Sequence, residues 1–188
     1  MCAMQIKSLS ITDVKVMTPK QFIDARGNLS ETYSKITLAN HGINLDFVQD
    51  NHSISRSAGV LRGLHFQISR FAQDKLLRVI KGRIFDVAVD IRQGSHTYGM
   101  WVGVEISSVA RNQILVPIGF AHGFITMEPD TEVIYKVTSP YSPENERGIA
   151  WNDPAIGIEW PLTGVKLTIS EKDKTHPSLA DLPAYFSI

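Results

Sequence analysis

From Arg83 to Arg92 the chain alternates without a break. Phe85, Val87, Val89 and Ile91 project to one side, and Asp86, Ala88, Asp90 and Arg92 to the other. Successive side chains of an extended strand point to opposite faces, so a period of two commits this segment to a sheet. Shorter runs of the same kind recur at 11–16, 47–52, 60–67, 76–80, 99–106, 113–116, 122–126 and 131–137. Turn formers separate them, notably Lys81-Gly82, Gln93-Gly94-Ser95, Pro117-Ile118-Gly119 and Pro129-Asp130. Helical signal is confined to 34–40, stopped by His41-Gly42, and to a short turn at 170–174. Many short strands at this spacing predict a mostly β protein, a jelly-roll sandwich or barrel with a few short helices.

The 188 residues suffice for one such domain, expected to span 1–188. Sheet edges need covering, and a segment of about 1–30 exchanged with a second subunit is one way to do it, so a homodimer is expected. From 141 onward the texture changes to a tail punctuated by proline and tryptophan. It reads as a wrap over the β domain, because its Trp and Ile side chains need burial.

Lys plus Arg and Asp plus Glu number 19 each, so no global field points to nucleic acid or membrane, and anion recognition must come from a local pocket. The single cysteine, Cys2, permits neither an internal disulfide nor a thiolate metal site. No secretory h-region and no apolar run of about 18 residues occur, which predicts a soluble, cytoplasmic protein. Histidines stand singly, without the His-x-His pair of metal-binding jelly rolls, so no catalytic metal is expected. A glycine-rich phosphate loop is also missing.

The densest run is Gly59-Val60-Leu61-Arg62-Gly63-Leu64-His65-Phe66-Gln67. An Arg and a His inside an apolar strand are costly unless satisfied. Taken alone, His65 reads as a hydrogen-bonded core histidine or as a base. Strict alternation sends Arg62 and His65 to opposite faces, and both reach one cavity only if Gly63 marks a bulge. Tyr135 shares a presumed inward face with Val133 and Val137, so its hydroxyl needs a polar partner or a ligand. His122 follows a tight turn, and Asp173 lies near a helix start. Arg26, Lys75, Arg78, Lys81 and Arg83 recur near strand beginnings. Each is an ordinary surface cation by default, and a converging subset would suit a diphosphate.

Together these segments resemble the dTDP-4-dehydrorhamnose 3,5-epimerase family. The matching stretches are 22–31, 49–55, 59–67, 85–92, Gly119 to Phe124, Tyr135-Lys136, Tyr141-Ser142-Pro143, Trp151-Asn152-Asp153-Pro154 and Ser170-Glu171-Lys172-Asp173. The resemblance implies a cupin-like jelly-roll homodimer that needs no cofactor and acts on a dTDP-4-keto-6-deoxysugar. By position it makes His65 the general base, oriented by Asp173, and Tyr135 the general acid on the opposite sugar face. Lys75 would lie near the C4 oxygen, with Arg62, His122 and Lys172 also lining the pocket. Gln49 and Asn51 would hold the nucleotide together with Arg26 and Glu31, from the same subunit or its partner. Tyr141 would stack on thymine, and Glu146 would sit near the nucleoside end. Two positions depart from the family pattern: Asp74 stands where glycine is usual, and Leu29 where an aromatic is frequent.

The implied chemistry suits these residue types. Hydrogens at C3 and C5 are both α to the C4 ketone, so the substrate is its own electron sink. Inversion requires a base on one face and an acid on the other. Inversion at C5 alone or C3 alone would use the same groups, and a non-enzymatic cupin-like sugar-binding module is the alternative of another class.

Overall fold

The computed structural model describes residues 4–162, 164 and 166–188, so Cys2 lies outside the described residues. In chain order the elements are β1 (Met4–Ser8), β2 (Lys15–Pro19), β3 (Gln21–Asp24), β4 (Gly27–Ser30), helix α1 (Lys35–Ala39), β5 (Gln49–Ser55), β6 (Val60–Gln67), β7 (Lys75–Lys81) and β8 (Arg83–Asp90). They continue with β9 (Arg92–Gln93), β10 (Trp101–Ser107), β11 (Gln113–Val116), β12 (Phe120–Thr126), β13 (Thr131–Val137), β14 (Glu146–Gly148), β15 (Thr168–Ile169) and β16 (Phe186–Ser187).

Two six-stranded sheets dominate. The first has the order β1-β2-β11-β7-β13-β5. The second runs β10-β8-β12-β6-β14, with β15 parallel to the start of β6. Between β5 and β13 the chain passes repeatedly from one sheet to the other, which is the jelly-roll path. The runs at 60–67, 113–116 and 131–137 coincide with strands residue for residue. The run at 11–16 is a correction. Ile11 and Val14 are buried from a turn in which the Val14 N–H donates to the Ile11 carbonyl at 3.0 Å, and the strand begins only at Lys15. Buried positions three apart are turn spacing, which a two-residue template misassigns. Helix α1 begins where expected, with Ser34 Oγ accepting from the Thr37 N–H at 3.2 Å.

Each sheet is covered on both faces. Between the sheets lie Leu77, Val79, Ile84, Ala88, Val102, Ile106, Ile114, Phe120, Phe124 and Val133. Behind the second sheet Leu64, Phe66, Val87 and Val89 pack against Ile149, Ile156, Leu179 and Leu182 of the C-terminal segment. Each such side chain contributes roughly 2 kcal/mol of burial. Outside the first sheet Leu76 and Leu115 meet Met4, Met17, Leu38 and Ile43. The alternation in β8 therefore sorts two buried faces. Val87 and Val89 look outward under the C-terminal segment, whereas Ala88 looks between the sheets, and Asp86 and Asp90 of that same face are fully buried.

Strand β6 carries the bulge that the Arg62/His65 spacing demands. In its pairing with β12, His65 faces His122 and Arg62 faces Phe124, so three steps on β6 match two on β12. Gly63 supplies the extra residue with φ of +130°, a conformation open to glycine and strained for other residues. A Cβ there would lie 2.6 Å from Gly123 Cα and 2.9 Å from the His122 carbonyl oxygen. Both obstacles are backbone and cannot swing away. Gly63→Ala is therefore expected to destabilise the fold by about 2–3 kcal/mol or more, combining overpacking with backbone strain. Urea unfolding checks this, and an unchanged midpoint would mean that the two backbones do not approach so closely.

Candidate active site

Restoring the phase of β6 after Gly63 turns Arg62 and His65 to the same side. Both line a cavity of about 580 Å³ between the sheets. His65 Nε2 donates to Asp173 Oδ1 at 2.9 Å, which leaves Nδ1 as the ring's basic nitrogen. Asp173 sits at the start of a 3-10 turn, Asp173–Thr175, where its own N–H donates to Ser170 Oγ at 3.1 Å. Its second oxygen accepts the Gly63 N–H at 3.1 Å, so the bulge also anchors the carboxylate that orients the histidine.

Tyr135 enters the cavity from the other sheet. It projects from β13 on the face of Val133 and Val137, as alternation requires, and lines the same space as His65. Burial, with Glu146 adding to it against an opposing pull from Arg62, raises the phenol above its ordinary value and keeps it protonated at neutral pH. Lys75, at the start of β7, donates from Nζ to the His65 carbonyl at 3.3 Å. Burial lowers its ammonium to about 8, opposed by the negative charges of Asp86 and Glu146. His122 lies beneath, its Nε2 donating to Asp86 at 2.9 Å. Burial drives the Asp86 carboxyl upward, and His122 and Lys75 counter that. Two histidine–carboxylate pairs thus border one cavity.

The residues expected at the nucleotide end divide into two groups. Tyr141, Glu146 and Lys172 line the cavity mouth. The Tyr141 hydroxyl donates to Glu146 Oε2 at 2.8 Å, and Lys172 ion-pairs with the same oxygen. Asn51 lines an adjoining recess of about 90 Å³ with Tyr141 and Gln73. Gln49 is not in the lining, yet it donates to Asn51 at 2.8 Å and accepts the Tyr141 N–H at 3.1 Å. Arg26 and Glu31 are not brought to the cavity by their own chain. Arg26 pairs with Asp24 at 2.6 Å at the tip of the β3–β4 hairpin, and Glu31 accepts from Thr37 Oγ1 at 2.7 Å.

Sequence reasoning gave no role to Asp86 or His176. Asp86 had a signal, because a carboxylate on the Ala88 face of a doubly buried strand must find a partner. His176 had none, since its ring reaches that of His65 only through the packing of the C-terminal segment, with centroids 5.5 Å apart. Metal-ligand spacing missed the same convergence: ligand atoms of His65, Asp173 and His176 lie within 4.8 Å of one another. Of the two departures, Asp74 does not line the cavity. Its carboxylate accepts the Ile118 N–H at 3.1 Å and the Thr138 hydroxyl at 3.0 Å, tying three segments together. Leu29 lies on the exposed hairpin.

Burial raises the Asp173 carboxyl, but His65 and the Gly63 N–H outweigh it and bring the carboxyl to about 2. A carboxyl held below its ordinary 3.8 stabilises the fold fully above that pH, and the contribution is lost as pH falls through about 2. Asp173→Asn is expected to flatten this acid-side fall in stability, leaving the share of Asp90, which is also held at about 2. Urea midpoints across that pH range check it. Identical slopes for variant and parent would contradict it.

Residues 8–181 match the family described as dTDP-4-dehydrorhamnose 3,5-epimerase. The dTDP-4-dehydrorhamnose 3,5-epimerase of Sinorhizobium fredii is 50% identical over 183 residues, covering 97% of this chain and 93% of that protein. A crystal structure of dTDP-6-deoxy-D-glucose-3,5-epimerase from Legionella pneumophila, in complex with dTDP-4-keto-L-rhamnose, superposes with a TM-score of 0.91 at 43% identity, covering 96% of this chain and 95% of that one. A Bacillus anthracis dTDP-4-dehydrorhamnose 3,5-epimerase with TDP and PPi bound gives 0.90 at 44% identity, covering 94% and 99%. With its jelly-roll fold and its paired histidine–carboxylate cavity, this chain belongs to the dTDP-4-dehydrorhamnose 3,5-epimerase family.

Proposed function

We propose that the chain inverts C3 and C5 of dTDP-4-dehydro-6-deoxy-D-glucose to give dTDP-4-dehydro-L-rhamnose, as a cytoplasmic homodimer without a cofactor. One observation carries this reading: the His65–Asp173 pair and the Tyr135 phenol enter a single cavity from opposite sheets. A sugar lying between them has a base on one face and an acid on the other. His65 Nδ1 takes the α-proton, and Asp173 stabilises the imidazolium that forms. Electrons move onto the C4 oxygen, where the Lys75 ammonium offsets the developing charge, a contribution of about 3 kcal/mol for one such donor. Tyr135 then donates to the opposite face of the same carbon, and the configuration inverts. Repetition at the second α-carbon completes the reaction.

The nucleotide end rests on Tyr141, whose ring is half exposed and free to stack on thymine, on Asn51 and Gln49 beside it and on Glu146, while Arg62, His122 and Lys172 also line the pocket. Arg26 and Glu31 complete it from the partner subunit in this proposal. The β3–β4 hairpin supports the exchange, since it leaves Phe22, Ile23 and Leu29 exposed, Ile23 by 77%, and such apolar groups on an edge call for a covering surface. The whole chain then acts as a single domain, and the segment from 141 onward adds β14 and β15 to the second sheet and packs Ile149, Ile156, Leu179 and Leu182 behind it.

NMR of dTDP-4-keto-6-deoxyglucose incubated with the enzyme in D₂O tests the function. Deuterium is expected at both C3 and C5. Label at one carbon would make the protein a mono-epimerase, and ligand binding without exchange would leave only a sugar-binding module. His65→Ala is expected to slow exchange about 100- to 10,000-fold while dTDP still binds. Retained exchange would mean that another group is the base.

A further inference from the structure

The His176 ring is packed against the His65–Asp173 pair. Its Nε2 is buried and makes no hydrogen bond among the described residues, and the side chain is only 10% exposed. That nitrogen lies 3.8 Å from Asp173 Oδ1, the oxygen that His65 Nε2 reaches at 2.9 Å. Space for the ring exists because residue 148 is glycine. A Cβ on Gly148 would lie 2.4 Å from His176 Nε2, and Gly148 sits opposite His65 in the β14–β6 register. The Ala150 N–H, donating to the Pro177 carbonyl at 2.8 Å, fixes the neighbouring backbone. A buried ring nitrogen without a partner is costly, and ligand atoms of His65 and Asp173 lie within reach of this ring.

We propose that His65, Asp173 and His176 form an inhibitory site for a divalent transition-metal ion of the zinc type. Two imidazole nitrogens and a carboxylate oxygen, with a fourth position open to the cavity, are the donor set of open zinc sites. Imidazole-rich donors favour zinc over the hard cations magnesium and calcium. The ligand atoms already lie within 4.8 Å of one another, so small side-chain rotations close the coordination sphere. The ion takes the Nε2 lone pair of a neutral His65 ring, and the ring's one proton then resides on Nδ1. A ring in that state has no lone pair for the substrate's α-proton, and Asp173 is diverted to the metal. Occupation therefore stops turnover, an effect that rests on the reading of His65 as the base.

The test uses chelator-treated full-length enzyme, titrated with Zn²⁺ by calorimetry and assayed in parallel for exchange in D₂O. One equivalent of Zn²⁺ is expected to bind and to lower exchange at least about tenfold, reversibly with EDTA, while Mg²⁺ does neither. His176→Ala is expected to keep its exchange activity in chelator, to bind Zn²⁺ at least about tenfold more weakly, and to escape inhibition. Should that variant not fold, His176→Gln keeps the volume without the imidazole and carries the same expectation. Absence of Zn²⁺ binding to the parent, or equal binding and inhibition in the variants, would overturn the site. Binding that leaves exchange untouched would overturn the inhibition. An inactive chelated parent that still binds one Zn²⁺ would uphold the site and count instead against the proposed reaction.

Discussion

Gly63 and Gly123 pass so close that neither strand tolerates a side chain at the crossing, and the geometry of the cavity follows from that approach. A Cβ on Gly63 would meet Gly123 Cα at 2.6 Å, and one on Gly123 would meet the Arg62 carbonyl oxygen at 2.7 Å. The bulge they permit shifts β6 by one residue, sending Leu64 and Phe66 outward to the C-terminal cluster and Arg62 and His65 inward. The same residue donates its N–H to Asp173, so one local distortion aims the histidine and fixes its carboxylate. Without it, alternation would leave the arginine or the histidine against the apolar outer layer, where desolvation would cost several kcal/mol.

The two sheets divide the chemistry between them. The second brings His65 on β6, His122 on β12 and Asp86 on β8. The first brings Lys75 on β7 and Tyr135 on β13. Burial of these groups would be unfavourable one by one, yet each offsets another. Asp86 stays near His122 and Lys75, and Lys75 is brought down to about 8 by burial while Asp86 and Glu146 resist the fall. A low-dielectric cavity strengthens every charge–dipole contact inside it, which is the condition under which a single ammonium stabilises an enolate effectively. The apolar layers on either side hold these groups at fixed separation.

Much of this was legible in the sequence, for identifiable reasons. The strand-like pattern, read with the turn formers that bound it, located β6, β11 and β13 to the residue. It failed at 11–16, where burial comes from a turn. The Arg62/His65 parity conflict made a bulge at Gly63 the condition for both to share one cavity, because spacing and pleat are rigidly linked. Long-range packing was not legible. The approach of His176 to His65 depends on Gly148 leaving a gap, and Asp74 is held, buried, by Ile118 and Thr138, none of which leaves a periodic trace. Arg26 and Glu31 mark the other boundary. A single chain leaves them exposed and away from the cavity, paired with Asp24 and Thr37.

The central claim is that base and acid act from opposite faces of one sugar. The most direct measurement of it is the stereochemical fate of the α-carbons in Tyr135→Phe incubated with substrate in D₂O. Removal of the phenol leaves the His65 face intact, so deuterium should enter with retention while inversion falls by about 100-fold or more. Inversion at the parent rate would contradict a two-faced mechanism and would assign the returning proton to another donor.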